Sequence, residues 1–122
     1  MDFKELYQEV KTKIQVQEWR FELPDFYEFV IPSSEMDALK RILKGYFGEE
    51  VDLNKPLGDK QKFIAEKWGG VRKNQIFYFR ELPQVQELTF LWPWCDGTRV
   101  SAKMIQDKPV DRSKLWSSAQ RL

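Results

Sequence analysis

The sequence predicts an α+β fold: an antiparallel sheet of about five strands packed against helices over 3–15 and 35–47, with short helices near 60–68 and 112–121. Three observations carry that prediction. Residues 18–31 and 75–105 alternate apolar and polar side chains with a period of two and are broken by turn-forming pairs, the mark of a hairpin and of a three-stranded meander. Residues 3–15 and 35–47 instead repeat their apolar side chains at helical spacing. The 122-residue chain has the size of one domain, and with 42% apolar and 32% charged residues it is equipped to bury a core. Residues 1–122 are therefore expected to form a single domain, interrupted by one polar loop at 49–58.

The elements follow in order. Asp2 and Glu5 have the spacing of a capping box, and Phe3, Leu6, Tyr7, Val10 and Ile14 make the apolar stripe of the first helix. Trp19, Phe21 and Leu23 then alternate with Arg20 and Glu22, and after Pro24-Asp25 a second alternating run covers Phe26 to Ile31. A two-residue turn would put Tyr27, Phe29 and Ile31 on the face of Arg20 and Glu22. A three-residue loop through Phe26 would put them with Trp19, Phe21 and Leu23, and is expected because it gathers the rings. Ser34 and Asp37 resemble a second capping box, followed by Met36, Leu39, Ile42, Leu43, Tyr46 and Phe47 and by Gly48 as a stop. Asp59 is placed to cap a helix through Trp68 that ends at Gly69-Gly70. The same glycine pair also suits a hairpin turn, and Ala65, Glu66 and Lys67 favour the helix.

In the meander, a two-residue turn at Pro83-Gln84 sets Arg80 opposite Glu87, Phe79 opposite Leu88 and Phe77 opposite Phe90, satisfying charge and apolarity in one register. Asp96-Gly97 reads as a type I′ turn that returns the chain as a third strand from Thr98. Strict pairing from that turn sets Leu88, Phe90 and Trp92 across from Ile105, Lys103 and Ser101 and leaves Val100, Ala102 and Met104 on the other face. If the long helices cover one face only, a bulge near Trp92-Pro93-Trp94 is needed to shift the parity, and one is expected. Asp111 is placed to cap a last helix bearing Leu115, Trp116, Ala119 and Leu122.

The function classes excluded are clearer than those indicated. The chain has no histidine, which removes Ser-His-Asp and Cys-His mechanisms and the histidine zinc motifs. It has no glycine-rich phosphate loop and no nucleophile elbow. Its one cysteine, Cys95, closes no intramolecular disulfide, and with acidic rather than basic residues at the N-terminus a cytoplasmic location is expected. Asp52-Leu53-Asn54 opens like a calcium loop but lacks the glycine and closing carboxylate that such a loop needs. No catalytic residue, metal or cofactor is assigned, and no membrane contact is expected. A carboxylate enzyme using Glu49, Glu50 or Asp52 is the weakest of the readings considered.

Net charge is only +1, but residues 1–50 carry seven basic and eleven acidic side chains and residues 51–122 carry thirteen and eight. Two constellations stand out. Trp92 and Trp94, with Trp116, can form an aromatic patch that anchors a partner. Lys60, Lys62, Lys67, Arg72 and Lys73 lie interleaved with aromatics such as Trp68 over 55–80, the recipe of cations for phosphates and rings for bases. Core packing and a solvated helix face explain the same residues. The expected function is a non-catalytic binding or regulatory domain engaging a protein partner or its own copy. Nucleic-acid binding through 55–80 is the alternative.

Overall fold

The computed structural model describes residues 1–108. Helix α1 spans Phe3–Lys13; the Asp2 carboxylate accepts the Glu5 backbone N–H at 2.8 Å, as the capping spacing predicts, and Phe3, Leu6 and Val10 are buried. Strands β1 (Glu18–Leu23) and β2 (Phe26–Pro32) form the first hairpin. Leu23 pairs with Phe26, so the loop is Pro24-Asp25 and not the three residues expected. The register then slips between Trp19 and Phe21, which brings Trp19 opposite Phe29 with ring centroids 4.8 Å apart. A bulge thus recovers for Trp19 what the longer loop would have supplied. Phe21 and Leu23 are not recovered: they stay on the opposite face, 52% and 51% exposed. Glu22 takes the inner face instead, where the Tyr7 hydroxyl donates to it and Lys11 Nζ lies at 3.1 Å.

A 3-10 turn at Ser33–Glu35 leads into α2 (Met36–Phe47). No side chain caps α2, so the Ser34-Asp37 capping box does not form; the turn starting at Ser33 already winds Ser34 into a helical conformation, which a cap residue cannot have. Gly48, at φ +85°, ends α2 as expected. Helix α3 spans Asp59–Lys67, which decides the 62–68 segment as helix. Asp59 is its first residue and not its cap. Gly58 holds that place, its N–H donating to Gln61 Oε1 at 3.2 Å. Gly69 and Gly70 leave the helix at positive φ, and the Gly70 N–H closes onto the Ala65 carbonyl at 2.8 Å.

Strands β3 (Ile76–Glu81), β4 (Gln86–Pro93) and β5 (Arg99–Asp107) complete an open antiparallel sheet in the order β1-β2-β5-β4-β3. The β3–β4 register matches the expectation residue for residue, with Arg80 opposite Glu87, Phe79 opposite Leu88 and Phe77 opposite Phe90. The bulge expected near Trp92-Pro93-Trp94 is absent: β4 and β5 pair without a slip from Gln86–Asp107 to Pro93–Val100. Pro93 is tolerated because β3 pairs no further along β4 than Leu91, leaving Pro93 with a neighbour on one side only. The turn that follows is not type I′, which needs φ > 0 at Asp96. Only Gly97 has positive φ; its N–H donates to the Trp94 carbonyl, and the Asp96 carboxylate accepts from the Thr98 N–H and hydroxyl.

No parity shift is required because both faces of the sheet are packed. On one face α1 and α2 cover Tyr27, Phe29, Ile31, Tyr78, Leu91, Val100, Ala102 and Met104. On the other, Ile64 and Ala65 of α3 cover Phe77, Leu88, Phe90 and Ile105, with Val51, Leu53 and Leu57 of the 49–58 loop beside them. Phe77, Leu88 and Phe90 are shut in, as expected, but under α3 and not under the long helices. The loop also protects the outer edge of β3, where the Val51 N–H donates to the Phe77 carbonyl at 2.8 Å. The helix expected near 112–121 lies outside the described residues, and Trp116 with it.

Candidate functional site

Helix α3 has nine residues and is too short to roof its whole sheet face. It covers the β3–β4 side, and where it stops at Trp68 a hollow of about 140 Å³ opens above β4 and β5. Trp68, Phe90 and Trp92 supply aromatic walls, and Arg72, Ser101 and Lys103 supply the polar groups. The turn after α3 puts Arg72 there. Buried Gln75 accepts the Arg72 backbone N–H through its side-chain oxygen at 2.8 Å, and the Arg72 guanidinium lies 5.1 Å from the centroid of the Trp92 ring. Strand alternation puts Trp92 and Trp94 on this same face. Arg99 lies 5.2 Å from the Trp94 ring, whose Nε1 donates to Ser101 Oγ at 2.9 Å. Lys103 stands opposite Phe90, with the Glu28 carboxylate 3.7 Å away.

Trp68 stacks on Phe26 with centroids 5.7 Å apart, and Phe26 meets exposed Phe21 edge-on at 5.7 Å. An aromatic path therefore runs from the edge strand β1 into the hollow. The Trp68 Nε1–H is buried and has no acceptor among the described residues. Such an orphan donor is uncommon, since a buried polar atom without a partner forfeits its hydration.

The structure divides the two sequence constellations differently from the chain order. Trp92 and Trp94 are partly exposed and adjacent on one face, while Trp116 lies outside the described residues. Trp68 and Arg72, taken from the basic stretch, join Trp92 at the hollow, and Trp94 lies beside it. Lys60 and Lys67 do not: Lys60 is paired with Glu81, and Lys67 with the buried Asp107 carboxylate at 2.9 Å. Lys62 and Lys73 are exposed; Lys62 borders a separate hollow near Pro56 and Leu57, and Lys73 borders none described here. Ser101, Lys103 and Arg99 were missed by the sequence reading. The available signal was the strict pairing of Trp92 with Ser101 and Phe90 with Lys103, which places polar groups among rings.

The remaining candidates have structural partners. Glu49 pairs with Lys44 at 2.8 Å and Glu50 with Lys40 at 3.4 Å, while Asp52 accepts the Asn54 N–H in a local turn. Cys95 is exposed in the β4–β5 turn. On the α1–α2 face, Glu87 is 1% exposed and accepts from the Tyr46 hydroxyl and from Gln106 Nε2. Burial, then the hydrogen bond to Glu87, holds the Tyr46 phenol well above its ordinary pKa. Burial, then Glu50 and Glu49, pushes Tyr78 up to about 12. Arg80, opposite Glu87 in register, lies over the Tyr46 ring at 4.7 Å instead of closing an ion pair with Glu87. Among the described residues no group of three or more acidic or cysteine side chains is placed to hold a metal, and no helix is long and apolar enough to cross a membrane.

No protein-family model matches the chain, and no curated protein or solved structure matches it at a significant level. The fold class is α+β with an open antiparallel sheet, and function has to be argued from the site.

Proposed function

We propose that this chain is a non-catalytic binding domain that holds a protein partner against the half-covered sheet face. The observation that carries the reading is the pair of partly exposed tryptophans, Trp92 and Trp94, each bearing an arginine side chain; Trp92 walls the hollow at Trp68, and both line a neighbouring hollow beside Asn74. Tryptophan and arginine are the residue types most enriched at the energetic centres of protein interfaces. The exposed Phe21 and Leu23 extend the apolar surface toward β1. The cations Arg72 and Arg99 favour a partner segment carrying acidic as well as aromatic side chains.

Nucleic-acid binding through 55–80 has less support. Lys60 and Lys67 are already answered by carboxylates, and the Trp92 ring already carries a guanidinium where a base would stack. The experiment is a selection of displayed random peptides on the intact chain, repeated with Trp92→Ala/Trp94→Ala. Enrichment of acidic, aromatic peptides that the double variant no longer holds is the expected result; binders indifferent to both tryptophans would remove the reading. Light scattering over a concentration series asks whether the partner is a second copy. Titration with a single-stranded oligonucleotide at two salt concentrations tests the alternative, whose mark is a steep salt dependence lost in Lys62→Glu/Lys73→Glu.

A further inference from the structure

We infer that the hollow at Trp68 is a binding site for a small aromatic carboxylate: one planar ring carrying a single negative charge. The inference deepens the reading above, because it names the group that the same face receives. Size comes first. The hollow measures about 140 Å³, and an engineered apolar cavity of roughly 150 Å³ in another protein takes up benzene. That is the volume of one six-membered ring. The walls agree with an aromatic occupant, since Trp68 and Phe90 line the hollow beside Trp92, whose ring carries Arg72.

The polar groups choose the charge. Arg72 and Lys103 line the hollow, and no carboxylate does. The nearest acid identified is Glu28, 3.7 Å from Lys103, and it reduces the positive excess to about that of Arg72 alone. That balance suits a monoanion better than a phosphate dianion. The remaining groups also donate. Ser101 Oγ accepts from Trp94 and keeps its own proton available, and the Gln75 side-chain oxygen is spent on the Arg72 N–H. A nucleobase edge mixes donors with acceptors, whereas a carboxylate offers acceptors only and fits a site furnished with donors. The carboxylate would meet Arg72 or Lys103, with the ring against Trp68 and Phe90.

The probe is benzoate, followed by the indole N–H resonance of Trp68 in the intact chain, with benzamide as the uncharged isostere. Saturable movement of that resonance with benzoate is expected, with benzamide binding about tenfold more weakly because it lacks the charge-assisted hydrogen bond. Arg72→Met should weaken benzoate by a similar factor, and Trp68→Phe should weaken it while keeping the ring. Equal binding of benzoate and benzamide to the unmodified chain overturns the proposal without reliance on any variant. So does saturation that leaves Trp68 unmoved, and so does the absence of saturation. A peptide ending in phenylalanine, as free acid and as amide, separates the sources. Preference for the free acid makes the group the end of a partner chain, and benzoate binding without peptide binding makes it a free small molecule. Selected peptides that bind while benzoate does not would sink this inference and leave the protein-binding reading standing; the reverse would sink that reading and leave the site.

Discussion

The two faces of the sheet are built to different standards. Beneath α1 and α2 the residues of β2 and β5 are closed over completely, with Phe29, Ile31, Ala102 and Met104 at 0% exposure. Across the same strands, one residue along, the opposite face carries Glu28, Ser101 and Lys103 and is roofed by α3 on the β3–β4 side only. The first face answers the need to bury area. The second keeps tryptophans within reach of solvent and crowns them with arginines, an arrangement that contributes little to folding and much to contact. One helix of nine residues on this face, where two of eleven and twelve stand on the other, creates the difference.

The comparison breaks first at Phe29. Phe29→Ala empties a fully closed site, and a loss of about 3–5 kcal/mol is expected in urea unfolding. If Trp92→Ala cost as much, the open face would be core and the distinction would fail. The next largest effect is at the polar group inside the closed face. Tyr46→Phe removes one of the two donors to the Glu87 carboxylate, and a loss of about 1–3 kcal/mol is expected by the same measurement, smaller if Glu87→Gln is already present.

Alkali sharpens the contrast further. Tyr27, Tyr46 and Tyr78 all sit on the α1–α2 face with phenol pKa values raised above 10.0, Tyr78 to about 12, chiefly by burial. A raised folded-state value means that the contribution is whole below the unfolded pKa and is lost as pH climbs through the folded one. Melting temperature is therefore expected to fall from pH 10 toward about 12, with the ring resonances of Tyr27, Tyr46 and Tyr78 reporting tyrosinate together with unfolding and not before it. Ionisation of any of these three below pH 10 in the folded chain would show that this face is not closed. The smallest effect is on the open face: Trp92→Ala should cost about 1 kcal/mol of stability, on the scale of a partly exposed cation–π pair, while abolishing capture of selected peptides.

Local chemistry made some elements legible. The β3–β4 register was readable because a single turn at Pro83-Gln84 satisfied Arg80, Phe79 and Phe77 together. The helix at α1 was readable from its cap and stripe. The first hairpin was not, because either loop length suits Pro24-Asp25 and the choice depended on Tyr7 and Lys11 arriving to receive Glu22. Of the site, Trp92, Trp94, Trp68 and Arg72 were legible as residue types. Their assembly was not, since it needs α3 to end beside strands that follow it by some thirty residues.

By itself the sequence determined the period of each segment, and with it the described elements, the turn at Pro83-Gln84 and the absence of histidine chemistry. Period two says that successive side chains point opposite ways; it does not say which side is closed. That was decided only by where the three helices among the described residues settled. Because two of them lie on one face and the short one on the other, strict pairing through Pro93 costs nothing, and Ser101 and Lys103 come to stand beside tryptophans at an open hollow.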